Sequence, residues 1–254
     1  MQTIARTKSM PVTNARTGLY PWLMLISRSA LFILFQLLIA LIAAVAGRMS
    51  GSEAWNESTR WWTFMATLAN LVSLFFLVRL FRAEGKHYLD VIKFSRATFK
   101  TDLLWFIGFS LIGLPIAAAP MNVLGNAIFG DRMTPIYMMF RQLPVWALVL
   151  SLFFPLTIAF AELPTYFAYV MPRLATQLRN GWAAWLIASF FLGAQHIFLP
   201  LIFDGGFMFW RLGMYMPFAL FAGVLLKLRP TLLPYFMIVH ALVDVSAVAV
   251  YLMI

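Results

Sequence analysis

The chain has 254 residues, 63% of them hydrophobic and 11% charged, and its mean hydropathy is +0.86. A soluble domain is about half apolar and about a quarter charged, so this composition excludes a water-soluble globule and leaves a bilayer as the natural solvent. Nineteen Lys and Arg against nine Asp and Glu give a net charge of +10. The basic residues fall between apolar runs rather than in one patch, so they report membrane orientation and headgroup contact and argue against a nucleic-acid partner. The absence of cysteine removes disulfides, thiolate ligands and a cysteine nucleophile from consideration.

Residues 1–20 read as a basic cytoplasmic tail carrying Arg6, Lys8 and Arg16, with 21–254 as one transmembrane helical domain. Apolar runs at 29–47, 62–81, 103–121, 146–172, 182–203, 208–226 and 231–253 are mostly long enough for the roughly 20 residues a spanning helix needs. The expected fold is therefore all-α, an integral membrane bundle of about seven helices. Pro155 and Pro164 lie within the long fourth run and predict a kink, because each removes a backbone donor. With the N-terminus inside, thirteen of the nineteen basic residues fall on inner segments and five on outer ones, the asymmetry of the positive-inside rule. Arg28 then sits at the edge of the first span. The stretch 82–102 alternates basic residues with Tyr88, Leu89, Val91, Ile92 and Phe94, which reads either as a surface-lying amphipathic helix or as plain linker. His87 in this stretch reads as a solvated loop histidine.

An ionisable side chain at mid-membrane costs at least about 2.5–3.5 kcal/mol on insertion scales. Four such residues need a reason: Glu162 in the fourth span, His196 in the fifth, and His240 and Asp244 in the seventh. His240 and Asp244 are four apart and share one helix face. Buried polar residues also serve as interhelical glue. As a set, though, a carboxylate and imidazoles without a side-chain nucleophile suit acid–base chemistry on water, that is, hydrolysis.

At these residues the chain resembles the CPBP family of intramembrane proteases, which includes the CaaX prenyl endopeptidases and the bacterial Abi or bacteriocin-immunity proteins. The similarity covers roughly residues 146–250. The family carries a Glu-Glu-x-x-x-Arg motif, a Phe-x-x-x-His motif and a His-x-x-x-Asn/Asp motif. His240-Ala-Leu-Val-Asp244 matches the third. The second keeps His196, with Leu192 in place of phenylalanine. The first aligns two ways. With Glu162 as first glutamate, Leu163 and Phe167 replace the second acid and the arginine; with Glu162 as second, Ala161 and Tyr166 are the departures. The former is preferred, since it also matches Tyr166, Ala168 and Pro172-Arg173-Leu174 to the family pattern.

The resemblance implies a membrane-embedded endopeptidase, in a bacterial cytoplasmic membrane, acting on a membrane-associated peptide or protein. Glu162 would activate water with help from His196, and His240 with Asp244 would stabilise the oxyanion. Asp244, if ionised, only accepts hydrogen bonds, so it would act either protonated or by orienting His240. No cofactor is implied, but Glu162, His196, His240 and Asp244 are donor types that could hold a divalent metal. Two further readings remain: a catalytically weakened member serving as an immunity, scaffold or peptide-binding protein, and a proton-coupled transporter, against which the absence of repeated halves argues.

Overall fold

The computed structural model describes residues 15–253; residues 1–14, and with them Arg6 and Lys8, lie outside the described residues. Seven helices are long and apolar enough to cross a membrane, and no strand occurs among the described residues. They are α1 (Ala15–Gly47), α2 (Trp62–Ala83), α3 (Phe99–Phe129), α4 (Val145–Leu178), α5 (Gly181–Phe198), α6 (Gly205–Leu228) and α7 (Pro230–Leu252). The chain is an integral membrane helical bundle. Alternate connections lie at opposite ends, and we call the end carrying Arg82, Lys86, Arg173 and Arg229 the basic end.

The first helix begins well before the expected boundary. Residues 15–20 are helical rather than tail, and Pro21 lies inside α1 past its first turn, where its missing donor removes one backbone bond. This correction moves Arg28 from the edge of the span to its interior. Of the two readings of the stretch 82–102, the amphipathic helix is corrected and the linker holds: it contains one helical turn, Tyr88–Val91, and α3 starts at Phe99. Tyr88 and Ile92 are buried, so these residues plug the basic end of the core instead of lying on a surface. His87 is exposed. At the other end a short helix, Gly51–Thr59, is opened by a capping box in which Ser50 and Glu53 satisfy each other's backbone, a signal present in the Ser-x-x-Glu spacing.

Helix α4 is not uniform. It breaks at Leu152, and from Pro164 to Val170 it widens into a π-helical stretch before continuing as Met171–Leu178. Pro164 sets the position of the change, because its missing N–H releases one backbone bond of the preceding turn. Helix α5 ends early, in a 3₁₀ turn Gln195–Phe198. The carbonyls freed there find side chains: Arg211 of α6 donates to the carbonyls of His196 and Leu199, and Gln36 of α1 and Trp55 donate to that of Leu201. Inside a bilayer such groups must be satisfied by protein.

Buried apolar side chains form two clusters. One, toward the basic end, includes Leu25, Leu163, Leu192 and Met237; the other includes Phe32, Ile158, Leu199 and Val248. The helices α1, α4 and α7, and α5 with the Leu199 that follows it, contribute to both, and between the residues named lie Arg28, Glu162, His196 and His240. A polar layer thus crosses the bundle between two dry ones.

The basic end is tied by two ion pairs. Asp102, fully buried, accepts from Arg229 Nε at 2.5 Å, Thr98 Oγ1 at 2.5 Å and Thr231 Oγ1 at 2.9 Å. Arg229 is partly exposed and can return to water if its partner is lost, whereas an unpaired Asp102 cannot. Arg229→Ala is therefore expected to destabilise by about 3 kcal/mol and Asp102→Ala by less, measured by unfolding in micelles. The second pair joins Glu84, at the end of α2, to Arg173 of α4. Partial burial works against ionisation of Glu84, but the hydrogen bonds and charge of Arg173 outweigh it and lower the carboxyl below its ordinary 4.5. Because the folded value is depressed, this contribution is fully present above pH 4.5 and is lost as pH falls through the lower value. Acid unfolding followed by circular dichroism should show that loss, and Arg173→Gln should reduce it to the part that Lys86 supplies.

Candidate functional site

The polar layer converges on the Glu162 carboxylate, which is almost fully buried. Its Oε2 accepts from Gln195 Nε2 at 2.7 Å and faces Arg28 Nη2 at 3.4 Å. Gln195 Oε1 in turn accepts from Arg28 Nε at 2.8 Å and from the Tyr166 hydroxyl at 3.1 Å. Arg28, Gln195 and Tyr166 are fully buried. A carboxylate, a guanidinium and an amide from α4, α1 and α5 therefore form one network, in which Gln195 binds each charged group with one end of its amide. Arg28 also lies against the Phe32 ring, 5.2 Å from its centroid.

The structure brings together all four residues singled out from the sequence. His196 Nε2 lies 3.8 Å from Glu162 Oε2, and His240 Nε2 lies 3.4 Å from Glu162 Oε1 and 3.1 Å from Asp244 Oδ2. The tautomer of His196 follows from its backbone. Its Nδ1 stands 2.9 Å from the carbonyl of Leu192, and a carbonyl only accepts, so Nδ1 carries the hydrogen and Nε2 presents a lone pair to Glu162. Two acceptors thus face each other across 3.8 Å. The His196 ring is fixed by stacking on Tyr215, centroids 3.6 Å apart and planes 13° apart, and Tyr215 Oη accepts from Arg211 Nη1 at 3.3 Å.

Asp244 stands where it can orient His240, the second of the two roles open to it from the sequence. His240 Nδ1 and Asp244 Oδ2 are buried polar atoms with no hydrogen-bond partner among the described residues. The two side chains as wholes retain 17% and 16% exposure, against 3% for that of Glu162, so the layer opens to its surroundings on the α7 side. As metal ligands the four do not fit. Among the described residues no group of three or more such side chains is arranged to hold an ion, and the counter-charge of Glu162 is already the guanidinium of Arg28.

Comparison with models of known protein families, with characterised proteins and with solved structures returned no match.

Three residues in this layer were not anticipated from the sequence: Arg28, Gln195 and Tyr215. A signal for Arg28 existed, since an arginine within thirty apolar residues is as costly as the four that were noticed; Gln195 and Tyr215 are uncharged and gave none. Arg28 supplies the positive charge that Phe167 does not. The pairing predicts strong coupling. Arg28→Ala leaves a buried carboxylate without its cation, expected to cost about 3–5 kcal/mol, while Arg28→Ala with Glu162→Gln removes both charges and should recover a good part of that loss. A double-mutant cycle on unfolding in micelles measures the difference.

Proposed function

We propose that the chain is an intramembrane endopeptidase of the CPBP type, hydrolysing a peptide bond of a membrane-associated substrate with a water activated by Glu162. The observation that carries this reading is the pair of converging acceptors, the Glu162 carboxylate and the His196 Nε2 lone pair at 3.8 Å. Neither can donate to the other. A water about 2.8 Å from each can donate one of its two hydrogens to each and leave its own lone pair directed away from them, at a substrate carbonyl.

In the reaction the water oxygen bonds to the carbonyl carbon as Glu162 takes its proton, and the carbonyl oxygen gains the negative charge. Glu162 then returns the proton to the departing amide nitrogen as the C–N bond breaks. Gln195 and Arg28 fix the position of the carboxylate and aim it at the start of this cycle. His240 faces Glu162 and Asp244 through Nε2, and its unbonded Nδ1 donates to the developing oxyanion with the ring in its imidazolium form. This placement supports orientation, rather than a protonated carboxyl, as the role of Asp244. The resemblance adds a bacterial cytoplasmic membrane as the setting.

The test is cleavage in reconstituted vesicles of a library of single-span peptides. Glu162→Gln keeps the Gln195 and Arg28 contacts nearly isosteric and should lower cleavage by about 10²–10⁴, and His196→Ala should also lower it strongly. Unchanged cleavage in Glu162→Gln removes Glu162 as the base, and absence of cleavage by the unaltered protein sinks the hydrolase reading and leaves the non-catalytic, peptide-binding one, which the missing second acid of the first motif favours.

A further inference from the structure

A second feature lies at the basic end, separate from the polar layer. A cavity of about 380 Å³ opens between the lower part of α4 and the junctions of α5, α6 and α7. Its wall is apolar, with Phe167, Ala168, Met171 and Ala175 on one side and Leu226 and Leu233 on the other. Lys227 stands at its rim with its ammonium 4.1 Å from the centroid of the Trp182 ring. Gly181 also lines it, and a Cβ there would meet Lys227 Cε at 3.4 Å, so the bare backbone at the start of α5 leaves room for the lysine to lie along it.

The charges of this end sort into two groups. Arg173 and Lys86 are paired with Glu84, Lys93 with Asp90, and Arg229 with Asp102. Lys227 has no carboxylate within ion-pair distance among the described residues; Arg79, Arg82, Arg96, Lys100 and Arg179 have none either, but of these cations only Lys227 lines the cavity. Trp182 is itself exposed and packs edge-on against Trp185, ring centroids 5.6 Å apart, the placement of an aromatic at headgroup level. An apolar slot within the bundle, ending at an unpaired ammonium at the depth of the interface, is complementary to one kind of bilayer component.

We infer that this cavity is a binding site for an anionic phospholipid, with an acyl chain against the α4 wall and the phosphate on Lys227. A zwitterionic lipid offers the same chain, but its ammonium would meet the lysine, so discrimination rests on headgroup charge. The site does not depend on the proposed peptidase activity. It does share a wall with it: Phe167 and Ala168 belong to the π-helical stretch that begins two residues after Glu162.

The test uses the full chain reconstituted in vesicles of equimolar phosphatidylglycerol and phosphatidylcholine, released into mild detergent and weighed by native mass spectrometry. One phosphatidylglycerol should be retained in about fivefold preference, and Lys227→Gln should bring the two lipids to near parity. Ala175→Phe, which fills the slot, should abolish retention of either. Arg132→Gln, an exposed cation at the opposite end, should change nothing. Parity in the unaltered protein overturns the site, as does an undiminished preference in Lys227→Gln or an equal loss in Arg132→Gln.

Discussion

A carboxylate cannot remain charged in the middle of a membrane bundle unless something replaces the water it has lost, and the arrangement of this protein follows from how Glu162 meets that condition. Arg28 brings the opposite charge from α1, Gln195 brings a hydrogen bond from α5, and the amide of Gln195 joins the two. Desolvating two charges is costly, and their attraction offsets that cost only where the geometry is good and the remaining donors and acceptors are used. The network therefore fixes α1, α4 and α5 relative to one another more stringently than apolar contact would, since apolar contact is as favourable with lipid as with another helix.

The two apolar clusters are the counterpart of this constraint. On α1, Leu25 and Phe32 lie one turn to either side of Arg28 and belong to different clusters. Leu192 of α5 and the Leu199 that follows it flank His196 in the same way. The polar layer is thus shielded above and below by close-packed side chains and is most accessible at α7. The early end of α5 is part of the same design. A 3₁₀ turn at membrane depth frees carbonyls, and Arg211, a buried cation with no carboxylate beside it, is held there by two of them. Its remaining donor reaches Tyr215, and Tyr215 stacks on His196. The termination of one helix, through Arg211, thereby orients an imidazole.

The spanning helices were legible because hydropathy over twenty residues depends on composition and hardly on packing. The four ionisable residues were legible for the converse reason: each violates the solvent it sits in. Arg28 violates it equally, but an apolar run that starts at residue 29 places it at the edge of the span, where an arginine needs no reason. Gln195 carries no charge, and the sequence holds no mark of an amide that will bridge two ions. The segment 82–102 has the alternation of an amphipathic helix, but Pro and Gly are not what ended it; Tyr88 and Ile92 found a better place under the core, where tertiary burial overrode local pattern. The π-helical stretch was foreshadowed only by Pro164, which predicts a lost bond without saying how the chain will rearrange around it.

That rearrangement bears on which helix supplies the cation of Glu162. In a regular helix residues five apart, such as Glu162 and Phe167, are about 140° apart around the axis; a π turn takes in one more residue and brings such positions closer to a common face. Here Phe167 nonetheless looks toward the basic-end cavity, and Tyr166 looks into the polar layer. Had Phe167 been an arginine, its guanidinium would have had to turn back past Tyr166 to reach Glu162. With the cation supplied from α1 instead, the π stretch is released from charge pairing and its wide turn can serve as the wall of an apolar slot. A charge required by the chemistry of one residue need not come from the same helix, because the requirement is set by distance and dryness around the carboxylate, and α1 meets both.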